Sequence, residues 1–218
     1  MYAYMPRAAT AASELLREDV IDAAADLVAE RGYGGLSMRT LAERCGVATM
    51  TLYRHVRTKE DLLAALADRA LGELELPVPG SLPWQEEIAT VFRSMHRLLL
   101  AHPDLVDIAA KQHIAGEAAY RGAEVVLDSL RGAGIEGEAA ASAFAMLVAF
   151  TLGFVQQQLH MSREGSVAKR LVVFERLPAD DFENLSRLGG VFLLRYSDRH
   201  FEEGLDVIIR GLASKAQS

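Results

Sequence analysis

The 218-residue chain is predicted to be all-α, on three observations. Apolar residues recur every three or four positions along most of the chain, which is the spacing of one helix face. Alternating β-branched residues bounded by turn signals are missing, apart from a short segment at residues 171–174. Half of the residues are hydrophobic and 24% are charged, which excludes an intrinsically disordered chain and is sufficient for a buried core.

Composition also limits the cellular setting. The single cysteine excludes a disulfide framework and a cysteine-based zinc site, and it fits the reducing cytoplasm. The N-terminus has no apolar segment behind a basic start, so we expect no secretory signal. The most apolar stretch, residues 139–155, is shorter than the roughly 20 apolar residues of a spanning helix. We therefore predict a buried helix there, no membrane partner and a cytoplasmic protein.

The charge is unevenly distributed. The net charge is −7, yet residues 1–60 hold equal numbers of basic and acidic side chains, so the remainder of the chain carries the whole excess. Within residues 36–60 five basic residues face two acidic ones. A locally basic segment on an acidic body is compatible with a small DNA-binding head.

The N-terminal segment reads as a group of short helices. We predict helices over residues 16–31, 37–44 and 48–55, and a longer one from residue 58. Ser37 and Thr58 are suitable N-caps, and Gly46 ends the second helix. Two short helices separated by a glycine turn have the geometry of a helix-turn-helix.

The remainder of the chain reads as a larger helical body. Residues 76–83 contain three of the six prolines and mark a boundary. We predict body helices at residues 84–101, 104–112, 117–132, 136–160, 180–196 and 198–214, and a long mobile connection at 161–179. The predicted domains are a flexible extension (1–14), a three-helix helix-turn-helix domain (15–60), a connecting helix with linker (61–83), and a ligand-binding and dimerisation domain (84–218).

The helix-turn-helix leaves a set of side chains on surfaces that can meet a DNA groove. Ala42 is small where the helices cross, and Val47 and Leu52 are apolar at positions that pack the second helix down. Polar and hydrogen-bonding side chains suit base edges and phosphates of double-stranded DNA. The candidate DNA contacts are Arg39, Thr40, Thr49, Met50, Thr51, Tyr53, Arg54, His55 and Lys59.

Residues 16–63 resemble the N-terminal domain of the TetR family of bacterial transcriptional regulators. The motifs that carry the resemblance are GYGGLSMR at 32–39, LAERCGV at 41–47, TLYRHV at 51–56 and KEDLL at 59–63. The resemblance implies that Arg39 and residues 49–51 face bases, and that Tyr53, His55 and Lys59 hold phosphates.

The body resembles the tetracycline-repressor-like branch of that family. The motifs are Trp-Gln at 84–85, His-Pro-Asp at 102–104, FTLG at 150–153, FEEGL at 201–205 and IIRGL at 208–212. The resemblance implies a helical ligand-binding domain, a homodimer and a small-molecule effector that the sequence does not identify.

The sequence departs from the drug-sensing member of that branch. That protein binds a magnesium–drug chelate through a histidine and a glutamate. In this chain Ala109 aligns near the position of the histidine and Gln157 near the position of the glutamate. Val91 stands where that protein holds the drug with an asparagine. Because Mg²⁺ requires oxygen ligands in near-octahedral geometry, we expect neither tetracycline as the effector nor any metal or cofactor.

Effector contacts are sought among aromatic, methionine and polar residues of the body helices. Ligand cavities are mostly apolar with a few polar anchors, although each such residue is equally a candidate for the core. The candidates are Phe92, Met95, His96, His113, Met146, Phe150, Gln156, Gln157 and Phe174.

Two body helices indicate a homodimer. The helices near 136–160 and 198–214 are apolar on more than one face, and a helix apolar on two faces must bury both. One face can pack on the chain's own core, and the other then needs a second copy. Gly153, Gly204 and Gly211 are predicted to permit close approach.

The leading interpretation is a ligand-responsive repressor that binds a palindromic operator as a homodimer and is released by a small molecule. We expect no enzyme, and name no catalytic residue, because the sequence has no phosphate-binding loop, no HExxH motif and no serine-elbow motif. Two alternatives stay open: a helical small-molecule-binding protein or enzyme without DNA function, and an activator with the same head. An operator-binding assay combined with a turnover screen separates the regulator from the enzyme.

Overall fold

The computed structural model describes residues 16–111, 114–162, 166–193 and 196–216. Within these ranges every regular element is helical, which confirms the predicted all-α class. The expected N-terminal extension 1–14 and the candidate His113 lie outside the described residues.

Eleven α-helices occur in the described part of the chain. They are α1 (Arg17–Arg31), α2 (Met38–Cys45), α3 (Thr49–Leu52), α4 (Lys59–Leu71), α5 (Trp84–Ala101), α6 (Pro103–Lys111), α7 (Glu117–Gly132), α8 (Gly137–Met161), α9 (Ser166–Phe174), α10 (Glu183–Leu188) and α11 (Asp198–Ala216). Short 3₁₀ turns lie at Tyr33–Gly35 and Gly189–Leu193.

The first four helices form a small head with its own core. Val20, Ala24, Leu41, Leu52 and Leu62 are completely buried there, so each of these helices supplies at least one side chain. Burying a side chain of Val or Leu size contributes about 1.5–3 kcal/mol relative to leaving it in water. The core therefore fixes the short α2 and α3, which have little stability of their own.

The connection between α2 and α3 is a tight glycine turn. Gly46 adopts the left-handed conformation with φ +67°, and the Val47 amide donates to the Ala42 carbonyl at 3.1 Å. A side chain at this φ costs about 1–2 kcal/mol, which explains the glycine. At the other end of α2 the Ser37 hydroxyl accepts from the Thr40 amide at 3.1 Å, as an N-cap does.

Helix α3 is shorter than the predicted segment 48–55. It covers four residues, and the chain then tightens because the amides of Arg54 and His55 donate to the carbonyls of Thr51 and Leu52. Hydrogen bonds of this i→i+3 type close a 3₁₀-like turn rather than extend an α-helix.

The body packs around α5, which contacts α7, α8 and α11. Ile88, Val126, Leu130, Leu147 and Phe201 are at most 1% exposed and come from these four helices. Helix α4 joins this body to the head. Its Leu62 and Leu66 belong to the head core, whereas Ala67 belongs to a cluster shared with α5, α6 and α8.

The structure corrects the prediction for residues 161–179. Helix α9 lies within the segment expected to be a mobile connection, and residues 171–174 are helical rather than extended. Val167, Leu171 and Phe174 form its half-buried stripe at spacings of four and three. The exposed Val172 and Val173 obscure this stripe in the sequence, because they place apolar residues on the solvent side as well.

The predicted helix 180–196 is also corrected. Its first part is the six-residue α10, which ends at Gly189 with φ +61°, and a 3₁₀ turn follows. Gly189 ends the helix because glycine adopts positive φ at no steric cost.

Helix α8 leaves one face uncovered. The exposed residues Ser142, Ala145, Met146, Ala149 and Gly153 recur every three or four positions along it. Among the described residues it is the one helix long and apolar enough to cross a membrane by length and composition, a test that core helices of soluble proteins also pass. Only 28% of its most apolar window is buried within the single chain.

One of the three glycines expected to face a second copy has a different role. A Cβ on Gly204 would lie 2.6 Å from Cζ of Phe150, so this glycine lets α11 approach α8 within the same chain. A Cβ on Gly153 or Gly211 would have no neighbour within 4 Å, which keeps both available to a partner.

Candidate DNA-binding surface and ligand cavity

The second helix of the helix-turn-helix presents its side chains outward. Met50 is 76% exposed and Tyr53 is 42% exposed, while Leu52 between them is buried in the head core. Thr49 and Thr51 are half-buried, and Arg54 is exposed. Because α3 is anchored through Leu52, this outer surface is held rigidly and can be inserted into a groove.

Arg39 lies on α2 beside this surface. Its side chain is 84% exposed, and its Nε is 3.7 Å from Oε1 of Glu43 one turn later. Exposed pairs of this kind contribute about 0.2–1 kcal/mol. The guanidinium can therefore exchange this carboxylate for a base edge or a phosphate.

Thr40 has an internal role in addition to its predicted one. Its hydroxyl accepts from the Ser37 amide at 3.0 Å, which completes a reciprocal cap at the start of α2. The side chain is half-buried. This hydroxyl positions the helix that carries Arg39.

Two acidic residues of α1 accept from arginines within the head. Glu30 accepts from Arg44, and Asp22 accepts from Arg69. Arg54, Arg57 and Lys59 are exposed, and no ion pair involves them in the part of the chain that the structure describes.

The start of α4 adds to this positive surface. The Thr58 hydroxyl caps α4 by accepting from the Asp61 amide at 3.0 Å, and Lys59 is the first residue of the helix. His55 is half-buried just before this helix. A helix N-terminus beside a lysine favours phosphate through both its amide dipoles and the positive charge.

Cys45 ends α2 and is partly buried. Burial, followed by the charge of Asp19, raises the pKa of this thiol, and Arg44 offsets that only in part. A protonated thiol is a weak nucleophile, so a redox role for Cys45 is not supported.

A cavity of about 370 Å³ lies between α4 and the body helices. Its volume falls within the range of about 300–1,000 Å³ that is usual for small-molecule sites. Its wall consists of Ala67, Leu71, Leu74, Val91, Phe92, Met95, Leu99, Leu105, Ala109, Ile114, Ala119, Tyr120, Gly122, Ala123, Phe144, Val148 and Leu152. Among the described residues that line it, none is charged, and the one hydroxyl belongs to Tyr120, which is 64% exposed and so lies at the mouth.

Two other hollows differ in character. A groove of about 900 Å³ between the head and residues 115–117 is lined largely by charged side chains. A hollow of about 640 Å³ lies beside the first turns of α8, on the face that α8 leaves uncovered. The 370 Å³ cavity is mostly apolar, and it is enclosed by α4 on one side and by the body helices on the other.

The structure brings two of the sequence candidates to the cavity wall, Phe92 and Met95. His113 lies outside the described residues, and the structure places the remaining candidates away from this wall. Gln156 and Gln157 are exposed on α8, Met146 lies on the uncovered face of α8, Phe150 packs against Phe201, and Phe174 lies on α9.

His96 is buried in a structural network rather than in the cavity wall. Its Nε2 lies 3.0 Å from Oε1 of Gln158, and its ring stacks on Phe201 with centroids 4.0 Å apart. The Gln158 amide also donates to Asp198 at 2.8 Å. Of the three consecutive glutamines, Gln158 thus links α5, α8 and α11.

Sequence reasoning missed the α4 and α7 walls of the cavity. Ala67, Leu71 and Leu74 come from α4 and the turn that follows, and Ala119 and Tyr120 come from the first turn of α7. The apolar stripe of α4 continues past the residues that the head core uses, which is a signal in the sequence for a second packing surface.

These features define a class of protein: a helix-turn-helix head joined by one helix to a body with an apolar cavity. The family models agree with this division. Residues 20–66 match the model described as "Bacterial regulatory proteins, tetR family", and residues 76–216 match "Tetracyclin repressor-like, C-terminal domain".

Curated relatives and solved structures are similar over nearly the whole chain. A Saccharopolyspora erythraea HTH-type transcriptional regulator is 29% identical over 98% of this chain and 91% of its own length. The Escherichia coli class A tetracycline repressor from transposon 1721 is 33% identical over 93% of both chains. The structure of Streptomyces coelicolor ActR in complex with (S)-DNPA is 32% identical, with a TM-score of 0.83, and covers 94% of this chain and all of that one.

The chain belongs to the TetR family, in the branch with a tetracycline-repressor-like C-terminal domain. It is a ligand-responsive transcriptional repressor that acts as a homodimer on operator DNA.

Proposed function

We propose that this homodimer reads a palindromic operator through α3 and is released by an uncharged, mostly apolar effector bound beside α4. One observation carries the proposal: α4 begins at the DNA-binding surface and ends in the wall of the cavity. A ligand that prefers one position of α4 therefore changes the spacing of the two heads on DNA. The proposal keeps the division predicted from the sequence, namely a helix-turn-helix head at 15–60, a connecting helix and linker at 61–83, and a ligand-binding and dimerisation body at 84–218.

The contacts divide by chemistry. Arg39 and residues 49–51 face bases in this proposal, and Met50 supplies an apolar surface suited to a thymine methyl group. Tyr53, His55 and Lys59 face phosphates, with Arg54 beside them. Phosphate contacts position the head, and base contacts carry sequence preference.

The cavity wall indicates the chemistry of the effector. Its aromatic and aliphatic lining favours a ring system, and the Tyr120 hydroxyl provides one hydrogen bond at the mouth. A magnesium–tetracycline chelate is disfavoured, because Val91 and Ala109 line the wall with apolar atoms and Gln157 is exposed. ActR has been solved with actinorhodin, so a polycyclic natural product is a reasonable first probe.

We also propose that the protein is not an enzyme and acts in the cytoplasm. The described cavity wall offers no carboxylate, imidazole, thiol or amine for acid–base or nucleophilic chemistry. A DNA-binding regulator acts where the chromosome is.

Electrophoretic mobility shift with DNA upstream of the protein's own gene tests the function. We expect retardation by the wild-type dimer and its reversal by a neutral hydroxyanthraquinone. Lys59→Ala should weaken binding to all sequences and reduce the salt dependence, whereas Arg39→Ala should relax preference at one base pair at a cost of about 1–3 kcal/mol. Glu124→Ala, on the exposed side of α7, is the matched control. Absence of retardation with this and neighbouring promoters would refute the function.

A further inference from the structure

Helix α7 begins without a cap of its own. Its N-cap residue is Gly116, which has no side chain, and no side-chain hydrogen bond from that position satisfies the first amides. The first four amides of a helix need acceptors from elsewhere.

Asp68 of α4 supplies acceptors for two of these amides. Its Oδ1 accepts from the Ala119 amide at 2.9 Å, and its Oδ2 accepts more weakly from the Ala118 amide at 3.4 Å. The half-buried carboxylate also faces the positive end of the α7 dipole. A side chain of the head-connecting helix thus caps a body helix 50 residues further along the chain.

Gly116 is fitted to this arrangement. A Cβ at position 116 would collide with the carboxylate of Asp68. The backbone of Gly116 is extended, with φ −116°, which alanine adopts without strain. The need for glycine here is therefore the space that Asp68 occupies.

The capped turn is also part of the cavity. Ala119 and Tyr120 line its wall from α7, and Ala67 and Leu71 line it from α4, on either side of Asp68. A ligand that filled the cavity would contact both helices beside the hydrogen bonds that join them.

We propose that Asp68 and the amides of Ala118 and Ala119 form a latch that transmits effector binding to the DNA-binding head. The inference rests on the proposed function. When the effector displaces the first turn of α7, the latch makes α4 follow, and the head moves with α4. Asp68 is a positioning residue in this scheme, because it touches neither DNA nor effector.

Coupling between two sites is reciprocal, so the latch can be tested from the DNA side. Hydrogen exchange of the peptide covering residues 116–123 is measured in free and operator-bound protein, for wild type, Asp68→Ala, Asp68→Asn and the control Glu124→Ala. In free protein, Asp68→Ala should exchange faster by about 2- to 30-fold, the range that loss of an N-cap gives. Operator binding should change the exchange rate of this peptide in wild type and in the control. In Asp68→Ala the exchange rate should be the same with and without operator. Asp68→Asn keeps an oxygen for the Ala119 amide and should restore part of the response.

A double-mutant cycle separates the latch from general destabilisation. Gly116→Ala should reproduce the effect of Asp68→Ala, and the double variant should be no worse than either single one, since the collision needs both side chains.

Release of operator by the effector is measured with a hydroxyanthraquinone as the probe. Allosteric coupling usually changes affinity by about 5- to 150-fold, and the factor by which the probe weakens operator binding should be at least about threefold smaller in Asp68→Ala than in wild type.

The outcomes are distinct. Unchanged exchange in free Asp68→Ala, additive effects in the cycle, or an operator response that persists without Asp68 would each overturn the latch. If wild type binds no DNA, the proposed function fails and the latch falls with it. If wild type binds DNA and the Asp68 and Gly116 variants show the same exchange and the same operator response as wild type, the proposed function stands and the latch is wrong.

Discussion

At the scale of single residues, Glu87 is the buried acid of the body. It is 3% exposed, and its Oε2 accepts from the Ser129 hydroxyl at 2.7 Å. That hydrogen bond is the main reason that the pKa of Glu87 lies below its ordinary value, with backbone amides of the linker adding to it. The carboxylate thereby ties the proline-rich linker to α5 and α7.

We expect Glu87→Gln to lower the free energy of unfolding by about 1–3 kcal/mol at pH 7, because a buried hydrogen-bonded charge is replaced. A carboxyl group with a depressed folded-state pKa stabilises above its unfolded pKa, and this contribution disappears as the pH falls through the folded value. The difference between variant and wild type should therefore shrink in acid. Urea titration at fixed protein concentration measures it, with Glu124→Gln as the control; a difference independent of pH would contradict this account.

At the scale of elements, the head could be largely predicted because its signals are local. Ser37, Gly46 and Thr58 mark helix ends through their own backbone and side-chain chemistry, and the structure confirms all three. The cavity could not be predicted in the same way. Its wall joins residues from α4 to α8 that are far apart in sequence, and only packing reveals that Phe92 faces it whereas His96 does not.

The α2–α3 turn gives a test at this scale. Gly46→Ala should destabilise the protein by about 1–2 kcal/mol, since alanine is strained at this left-handed position. Operator affinity should fall with it, because the turn sets the angle of α3. Thermal unfolding and mobility shift measure the two effects. Gly34→Ala is the matched control, since a Cβ there meets nothing within 4 Å and its φ is not positive; equal effects of both changes would contradict the role of the turn.

At the scale of the whole molecule, the uncovered faces of α8 and α11 are the surfaces we assign to the homodimer interface. On α8 they consist of small residues and Met146, and on α11 the exposed side includes Val207 at 68% exposure and Gly211. Small residues permit close helix approach, and an exposed apolar stripe of this length is unusual on a monomer. The assignment of the interface to these two helices stays a prediction, and Gly204 is left out of it because it packs against Phe150 of the same chain.

Ala149→Arg should convert the dimer to monomer, because it places an unpaired charge in the centre of this interface. Analytical ultracentrifugation measures the change in mass, and operator binding should be lost in parallel. Glu124→Arg, a charge change on exposed α7, should leave the mass unchanged. A dimer that persists in Ala149→Arg would place the interface elsewhere.

The exposed stripe of α8 also has a consequence for how the repressor is diluted in a growing cell. When such apolar surface is covered only by pairing, folding and assembly share one mass-action equilibrium, so the melting temperature rises with protein concentration. When growth without new synthesis lowers the concentration of the chain, the fraction of paired chains falls together with that concentration. Operator occupancy then falls more steeply than the concentration of the chain, and the effector has less paired repressor to remove.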